Sequence, residues 1–160
     1  MQIKWLGGEN FEIKSKQAAI LVGDKKKIND FEIKMPGEYE IAGIFWKSDG
    51  EISAINIEGM RLVHLDNFNR VLSEKETEEI GDVDILLVPV GGGATLDSKK
   101  AVEVINQIEP KIVIPMCFED AGNFLGQLGL NVSPQDEIKI TPKDLPQEEQ
   151  KVVILNAKNA

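Results

Sequence analysis

Two residue types that commonly build catalytic metal sites are almost absent from this sequence, which has one histidine, His64, and one cysteine, Cys117. A zinc centre that depends on several converging imidazoles therefore cannot be assembled from this chain. One cysteine also excludes a disulfide within the chain. The first residues contain no apolar run of the kind found in signal peptides, and we therefore expect a cytoplasmic protein.

Clustered positive charge and long hydrophobic runs are also lacking. The 18 lysines and arginines are outnumbered by 27 aspartates and glutamates, and both signs are interspersed apart from residues 25–27 and 74–79. A surface with a net charge of −9 repels phosphate backbones, so we expect no nucleic-acid partner. The longest apolar stretches, such as residues 85–90, are too short to cross a bilayer. The length and the hydrophobic content of 42% are typical of a single domain over residues 1–160.

The first part of the chain has the pattern of short antiparallel strands. Alternating or continuous apolar residues at 3–6, 11–13 and 18–22 are separated by turn residues, which predicts a β-meander. Two hairpins are predicted next, with the turns Ala42-Gly43 and Glu58-Gly59, because a glycine in each connection allows the positive φ of a tight turn.

The pattern changes to alternating helices and buried strands after residue 73. Ser73 and Glu76 form a capping box, and Asp97 or Ser98 can cap a second helix that ends near Pro110. Further apolar segments predict two buried strands, a third helix and two late strands, at residues 83–90, 112–115, 118–128, 137–140 and 152–155. Hairpins followed by β-α-β units predict an α/β or α+β domain with two sheets and helices on the outside.

Several short strings, in this order and spacing, resemble the small lactonase-like branch of the metallo-β-lactamase superfamily, whose members are often labelled predicted zinc-dependent hydrolases. They are Ile-Lys-Trp-Leu-Gly at 3–7, Met-Pro-Gly-Glu-Tyr-Glu-Ile at 35–41, Val-His-Leu at 63–65, Val-Pro-Val-Gly-Gly-Gly at 88–93, Glu-Pro-Lys-Ile-Val-Ile-Pro-Met at 109–116 and Lys-Asp-Leu-Pro at 143–146. The resemblance implies a two-sheet αββα sandwich. It also implies chemistry that uses zinc or another divalent transition metal.

The metal-binding motifs of that family are missing at the matching positions. The histidine-rich loop has no counterpart between residues 22 and 35, and Gly8 replaces the histidine that commonly follows Trp-Leu-Gly. Asn67 stands where the family has a metal-bridging aspartate, and Cys117 where it has the histidine after Ile-Pro-Met. An amide brings only a dipole to a metal, whereas a carboxylate brings a negative charge. The resemblance therefore implies the scaffold, truncated at its active-site loops, and argues against the activity.

The sequence leaves three functional hypotheses. The first is a pseudoenzyme with a degenerate site and no metal cofactor, acting as a binding or assembly module for a protein partner or as a homo-oligomer that pairs through exposed sheet edges. The second is a hydrolase with a reduced or atypical metal site near Cys117, Asp66 and Asn67, in which Cys117 and Asp66 would be the metal ligands. The third is a nucleophilic Cys117 with His64 as its base.

Two other segments invite a functional interpretation that we consider weaker. The glycines at 91–93 lead into a helix, but they lack the spacing of phosphate-binding loops and are interpreted as a tight strand-to-helix connection. The lysines at 25–27 are interpreted as a solvated turn left by the shortened loop.

Overall fold

The computed structural model describes residues 1–158 and contains thirteen strands and three α-helices within them. In chain order the strands are β1 (Gln2–Gly7), β2 (Asn10–Lys14), β3 (Ala19–Val22), β4 (Lys27–Ile28), β5 (Phe31–Glu32), β6 (Gly37–Ile41), β7 (Ile44–Ser48), β8 (Ile52–Ile57), β9 (Met60–Leu65), β10 (Ile85–Pro89), β11 (Ile112–Met116), β12 (Ile138–Lys139) and β13 (Lys151–Val152). The helices are α1 (Glu74–Ile80), α2 (Ser98–Ile108) and α3 (Gly122–Leu128), and a 3-10 turn covers Pro142–Asp144. No helix in this part of the chain is long and apolar enough to span a membrane.

The strands form two sheets. The first has the order β12-β1-β2-β3-β4-β5 and the second has the order β13-β11-β10-β9-β8-β7-β6. All pairs in the first sheet are antiparallel. In the second sheet β9, β10, β11 and β13 are parallel to one another, whereas β6, β7, β8 and β9 form antiparallel pairs. Every residue of β10 and β11 is buried, as expected for parallel strands covered on both faces. The predicted meander, hairpins and β-α-β unit are confirmed.

Both predicted hairpin turns have the same backbone conformation. Ala42 and Gly43 have φ of 52° and 78°, and Glu58 and Gly59 have φ of 51° and 78°. Positive φ at both central residues gives the turn a twist that matches the flanking strands. The strand registers Ile41 to Ile44 and Ile57 to Met60 follow directly from these turns.

The apolar core has two layers. One lies between the sheets and includes Phe11 and Trp46, and the other lies between the second sheet and the helices and includes Phe124. The two-sheet sandwich is therefore confirmed. The αββα arrangement also implied helices over the first sheet, but all helices in residues 1–158 bury their apolar side chains against the second sheet. The outer face of the first sheet instead carries polar residues such as Lys4 and Glu12, which alternate with buried ones.

The helix caps follow the sequence closely, and the boundaries differ where tertiary contacts intervene. Ser73 and Glu76 form the predicted capping box, and the Asp97 carboxylate accepts a hydrogen bond from the Lys100 amide at 2.8 Å. Helix α3 begins at Gly122, four residues later than predicted, and the preceding Phe118 stacks on Trp5 with ring centroids 4.8 Å apart. A stacked aromatic side chain holds this segment outside the helix.

Candidate functional site

The predicted site residues meet at one end of the sandwich, where loops from both sheets come together. Asp66 and Asn67 follow β9, and Cys117 follows β11. Gly8 and Glu9, which form the turn between β1 and β2, contact both of these loops. The Cys117 amide donates to the Gly8 carbonyl at 3.2 Å, and the Asn67 amide donates to a Glu9 carboxyl oxygen at 2.6 Å. The fold therefore brings Asp66, Asn67 and Cys117 to one region, as the scaffold implies.

Glu9 is a buried carboxyl group that sequence reasoning missed. The residue is only 8% exposed, and its side chain is hydrogen-bonded to Asp66 as well as to the Asn67 amide. Burial and the hydrogen bond with Asp66 raise the pKa of Glu9 to about 7. The two carboxyl groups titrate as a pair, and the raised pKa of Glu9 beside the lowered pKa of Asp66 makes Glu9 the first of the two to take up a proton as the pH falls.

Lys26 supplies the positive charge of the site. Its ammonium lies 2.8 Å from an Asp66 carboxylate oxygen and donates to the Gly23 carbonyl at 3.1 Å. Both side chains are largely buried, at 16% and 12% exposure. Burial acts to raise the pKa of Asp66, but hydrogen bonds from Glu9 and Lys26 outweigh it and lower that pKa.

The interpretation of residues 25–27 as a solvated turn is thus wrong for Lys26. Lys27 begins β4, which pairs antiparallel with β3 and β5 and so extends the first sheet directly after Lys26. This pairing turns Lys26 towards Asp66, forty residues later in the chain, while Lys25 remains exposed. Charge pattern alone could not distinguish the two lysines, because the choice depends on strand pairing.

His64 lies inside the sandwich and is fully buried. Its Nε2 lies 2.8 Å from the Glu9 carbonyl oxygen, which can only accept, so Nε2 carries the hydrogen and donates. Its Nδ1 is buried and has no hydrogen-bond partner among the described residues. Burial lowers the pKa of His64 to about 4, so the ring is neutral near pH 7. Nε2 is therefore occupied by its hydrogen bond to the Glu9 backbone carbonyl.

Cys117 borders an open groove of about 570 Å³ together with Gly8, residues 91–93 and Phe118. The cysteine has a positive φ of 56° and a half-buried side chain. Burial and the neighbouring carboxylates of Glu9 and Asp66 raise the pKa of its thiol to about 12. The thiol is therefore protonated near pH 7, which is the inert form of cysteine.

The donor set does not fit the metal centre that the resemblance implies. Among residues 1–158, no three histidine, cysteine, aspartate or glutamate side chains are grouped so that they could hold a metal ion. Asp66 is ion-paired with Lys26, and the raised pKa of Glu9 disfavours the anionic form that a cation would need. Asn67 is exposed and contributes its backbone amide to Glu9.

Comparison with known proteins supports the scaffold. A family model for the beta-lactamase superfamily domain matches residues 10–117. A crystal structure from Thermotoga maritima, of a protein classed as a Zn-dependent hydrolase of the metallo-beta-lactamase superfamily, superposes with a TM-score of 0.83 at 25% identity, covering 98% of this chain and 100% of that one. The metallo hydrolase Igni18 from Ignicoccus hospitalis, at 12% identity and a TM-score of 0.59, covers 80% of this chain and 90% of that chain and is similar in fold alone.

Curated relatives are similar over shorter stretches. A UPF0173 metal-dependent hydrolase from Carboxydothermus hydrogenoformans is 39% identical over 64 residues, which are 40% of this chain and 28% of that protein. A UPF0173 protein from Pyrococcus furiosus is 41% identical over 63 residues, which are 39% of this chain and 29% of that protein. The matched segments thus span less than a third of these relatives.

Proposed function

This chain belongs to the beta-lactamase superfamily domain family, and we propose that within this family it is a non-catalytic binding or assembly module. The proposal contrasts with the similar relatives that are named metal-dependent hydrolases. The observation that carries the proposal is the ion pair between Lys26 and Asp66. An ammonium tethered beside the carboxylate neutralises it and repels a divalent cation, which would have to displace Lys26 in order to bind.

The other groups of the site do not supply an alternative catalyst. A metal-dependent hydrolase works through a bound water whose pKa the metal lowers, so that hydroxide forms near neutral pH. Here the thiol of Cys117 has a pKa of about 12, and the imidazole of His64 is neutral and donates to the Glu9 carbonyl. Neither group activates the other, which argues against the cysteine-histidine hypothesis.

Metal content tests the proposal directly. Protein purified without a metal-affinity tag should contain well below one equivalent of zinc, iron or manganese by elemental analysis. Stoichiometric metal that is lost in Cys117→Ala or Asp66→Asn would overturn the proposal and support the reduced metal site around Cys117, Asp66 and Asn67.

Lys26→Met gives a sharper test of the ion pair, with Lys25→Met as the matched control. Titration calorimetry with Zn²⁺ should show tighter binding to Lys26→Met than to the native protein, because the competing ammonium is gone and Asp66 is left unpaired. Lys25 is exposed one residue away, so Lys25→Met should bind Zn²⁺ as the native protein does. Equal binding by all three proteins would show that Lys26 does not exclude a cation.

A further inference from the structure

Both sheets end on the same side of the sandwich, in adjacent segments of the chain. Strand β5 is outermost in the first sheet and β6 is outermost in the second, and only residues 33–36 separate them. Within residues 1–158, β6 pairs with β7 and with no other strand. The edge of β6 that faces away from β7 therefore has unpaired backbone N–H and C=O groups. Such an edge is the usual template for the addition of a further strand.

The hairpin register identifies the backbone groups that point to this open edge. The two-residue turn makes Ile41 and Ile44 a hydrogen-bonded pair, and the alternation of antiparallel pairs makes Tyr39 and Trp46 the next one. Glu38 and Glu40 lie at the positions between, so their amide and carbonyl groups point away from β7. Four backbone groups with strand geometry are thus available to a partner.

The two faces of β6 differ in chemistry. On the inner face Tyr39 packs against the core, its ring centroid lies 6.0 Å from that of Phe31, and its hydroxyl donates to the Met35 carbonyl at 2.6 Å. Phe31 and Met35 are 47% and 70% exposed, and they are two of four large hydrophobic residues exposed in the described chain. On the other face the side chains of Glu38 and Glu40 are exposed. The edge is therefore apolar on one face and acidic on the other.

Charge argues against a second copy of this chain as the occupant. An antiparallel pair of β6 strands centred on Tyr39 would place Glu38 of one copy opposite Glu40 of the other, and like charges in opposed positions destabilise a sheet. Glu38 has a loose ion pair of 3.8 Å with Lys47, and Glu40, opposite Phe45, makes no ion pair among the described residues. A strand with a basic residue opposite each glutamate complements both.

We propose that β6 binds an extended segment of a partner protein that adds to the second sheet, with lysine or arginine opposite Glu38 and Glu40 and apolar residues on the face of Phe31 and Tyr39. The edge of β6 is a different part of the molecule from the region of Lys26 and Asp66. This second proposal therefore adds to the proposed binding module a specific docking edge and the chemistry of its partner.

The probe is a capped peptide of alternating lysine and valine, seven residues long, measured by fluorescence anisotropy at constant ionic strength. The double variant Glu38→Lys/Glu40→Lys should bind it about tenfold more weakly than the native protein, because two favourable cross-strand charge pairs become repulsive. Glu148→Lys/Glu149→Lys changes the net charge equally at exposed positions elsewhere and should bind as the native protein does.

A second probe separates strand addition from attraction between opposite charges. The same peptide with alternate backbone nitrogens methylated keeps its charge but loses the donors on one edge, and it should not bind. Equal binding of the methylated peptide, or equal weakening in both double variants, would overturn the proposal. A dimer in light scattering that Glu40→Pro abolishes would also overturn it, by making a second copy the occupant. Metal content of these variants should stay at the native level, so failure here leaves the proposal about Lys26 intact.

Discussion

Replacing Glu9 by glutamine should reveal a pH dependence of stability that the native protein hides. The pKa of Glu9 is raised from 4.5 to about 7 in the folded protein, so its stabilising contribution is complete below pH 4.5 and is lost as the pH rises through about 7. The pKa of His64 is lowered from 6.5 to about 4, so its contribution is complete above pH 6.5 and is lost as the pH falls through about 4.

The two contributions oppose each other between about pH 5 and pH 6.5. In that interval folding takes up as much as one proton at Glu9, which lowers the free energy of unfolding as the pH rises. Folding also releases as much as one proton at His64, which raises it. Each effect is at most about 1.4 kcal/mol per pH unit. The native protein should therefore show a nearly flat profile. In Glu9→Gln only the His64 contribution remains, and the free energy of unfolding should rise by about 1–2 kcal/mol across the interval.

Urea unfolding at four pH values and constant ionic strength measures this difference. Asp66 does not disturb the comparison, because its lowered pKa keeps it ionised throughout the interval. His64→Gln provides the mirror test, since it should leave the Glu9 contribution alone and give a profile that falls as the pH rises. Parallel profiles for the native protein and Glu9→Gln would refute the raised pKa of Glu9.

Three further predictions concern local structure. Asp97→Ala should lower the free energy of unfolding by about 1 kcal/mol in urea unfolding, because the Lys100 amide loses its cap at the start of α2. Gly91→Ala should lower the melting temperature by several degrees, since its Cβ would lie 1.9 Å from the Cys117 carbonyl oxygen, whereas Gly126→Ala, with open space in α3, should raise it slightly. Alkylation of Cys117 by iodoacetamide near pH 7 should be much slower than that of free cysteine, and an equal rate would contradict its raised pKa.

Most of the fold could be predicted because its signals are local. The glycine turns at 43 and 59, the capping box at Ser73 and the cap at Asp97 each depend on residues within a few positions of one another. The buried strands β10 and β11 have continuous apolar sequences that few other structures accommodate. The short strands β4 and β5 were missed, because two-residue strands carry too few residues for a periodic pattern.

The candidate site was predictable only in part. The resemblance predicted that Asp66, Asn67 and Cys117 lie close together, and the structure brings them to one end of the sandwich, where hydrogen bonds through Gly8 and Glu9 connect them. Glu9 itself gave no signal, since a single glutamate after a glycine pair usually lies on the surface. Its burial depends on the loop after β9, which is distant in sequence.

The sequence by itself determined the class of scaffold, the turns and caps, and the shortage of imidazole, because these follow from residue identity and short-range spacing. Only the tertiary structure decided which of three consecutive lysines meets Asp66, which carboxyl group has its pKa raised and which strand edge stays open. These properties depend on burial and on contacts between distant segments, since the free energy of a charge or a backbone donor is set by the atoms that surround it after folding.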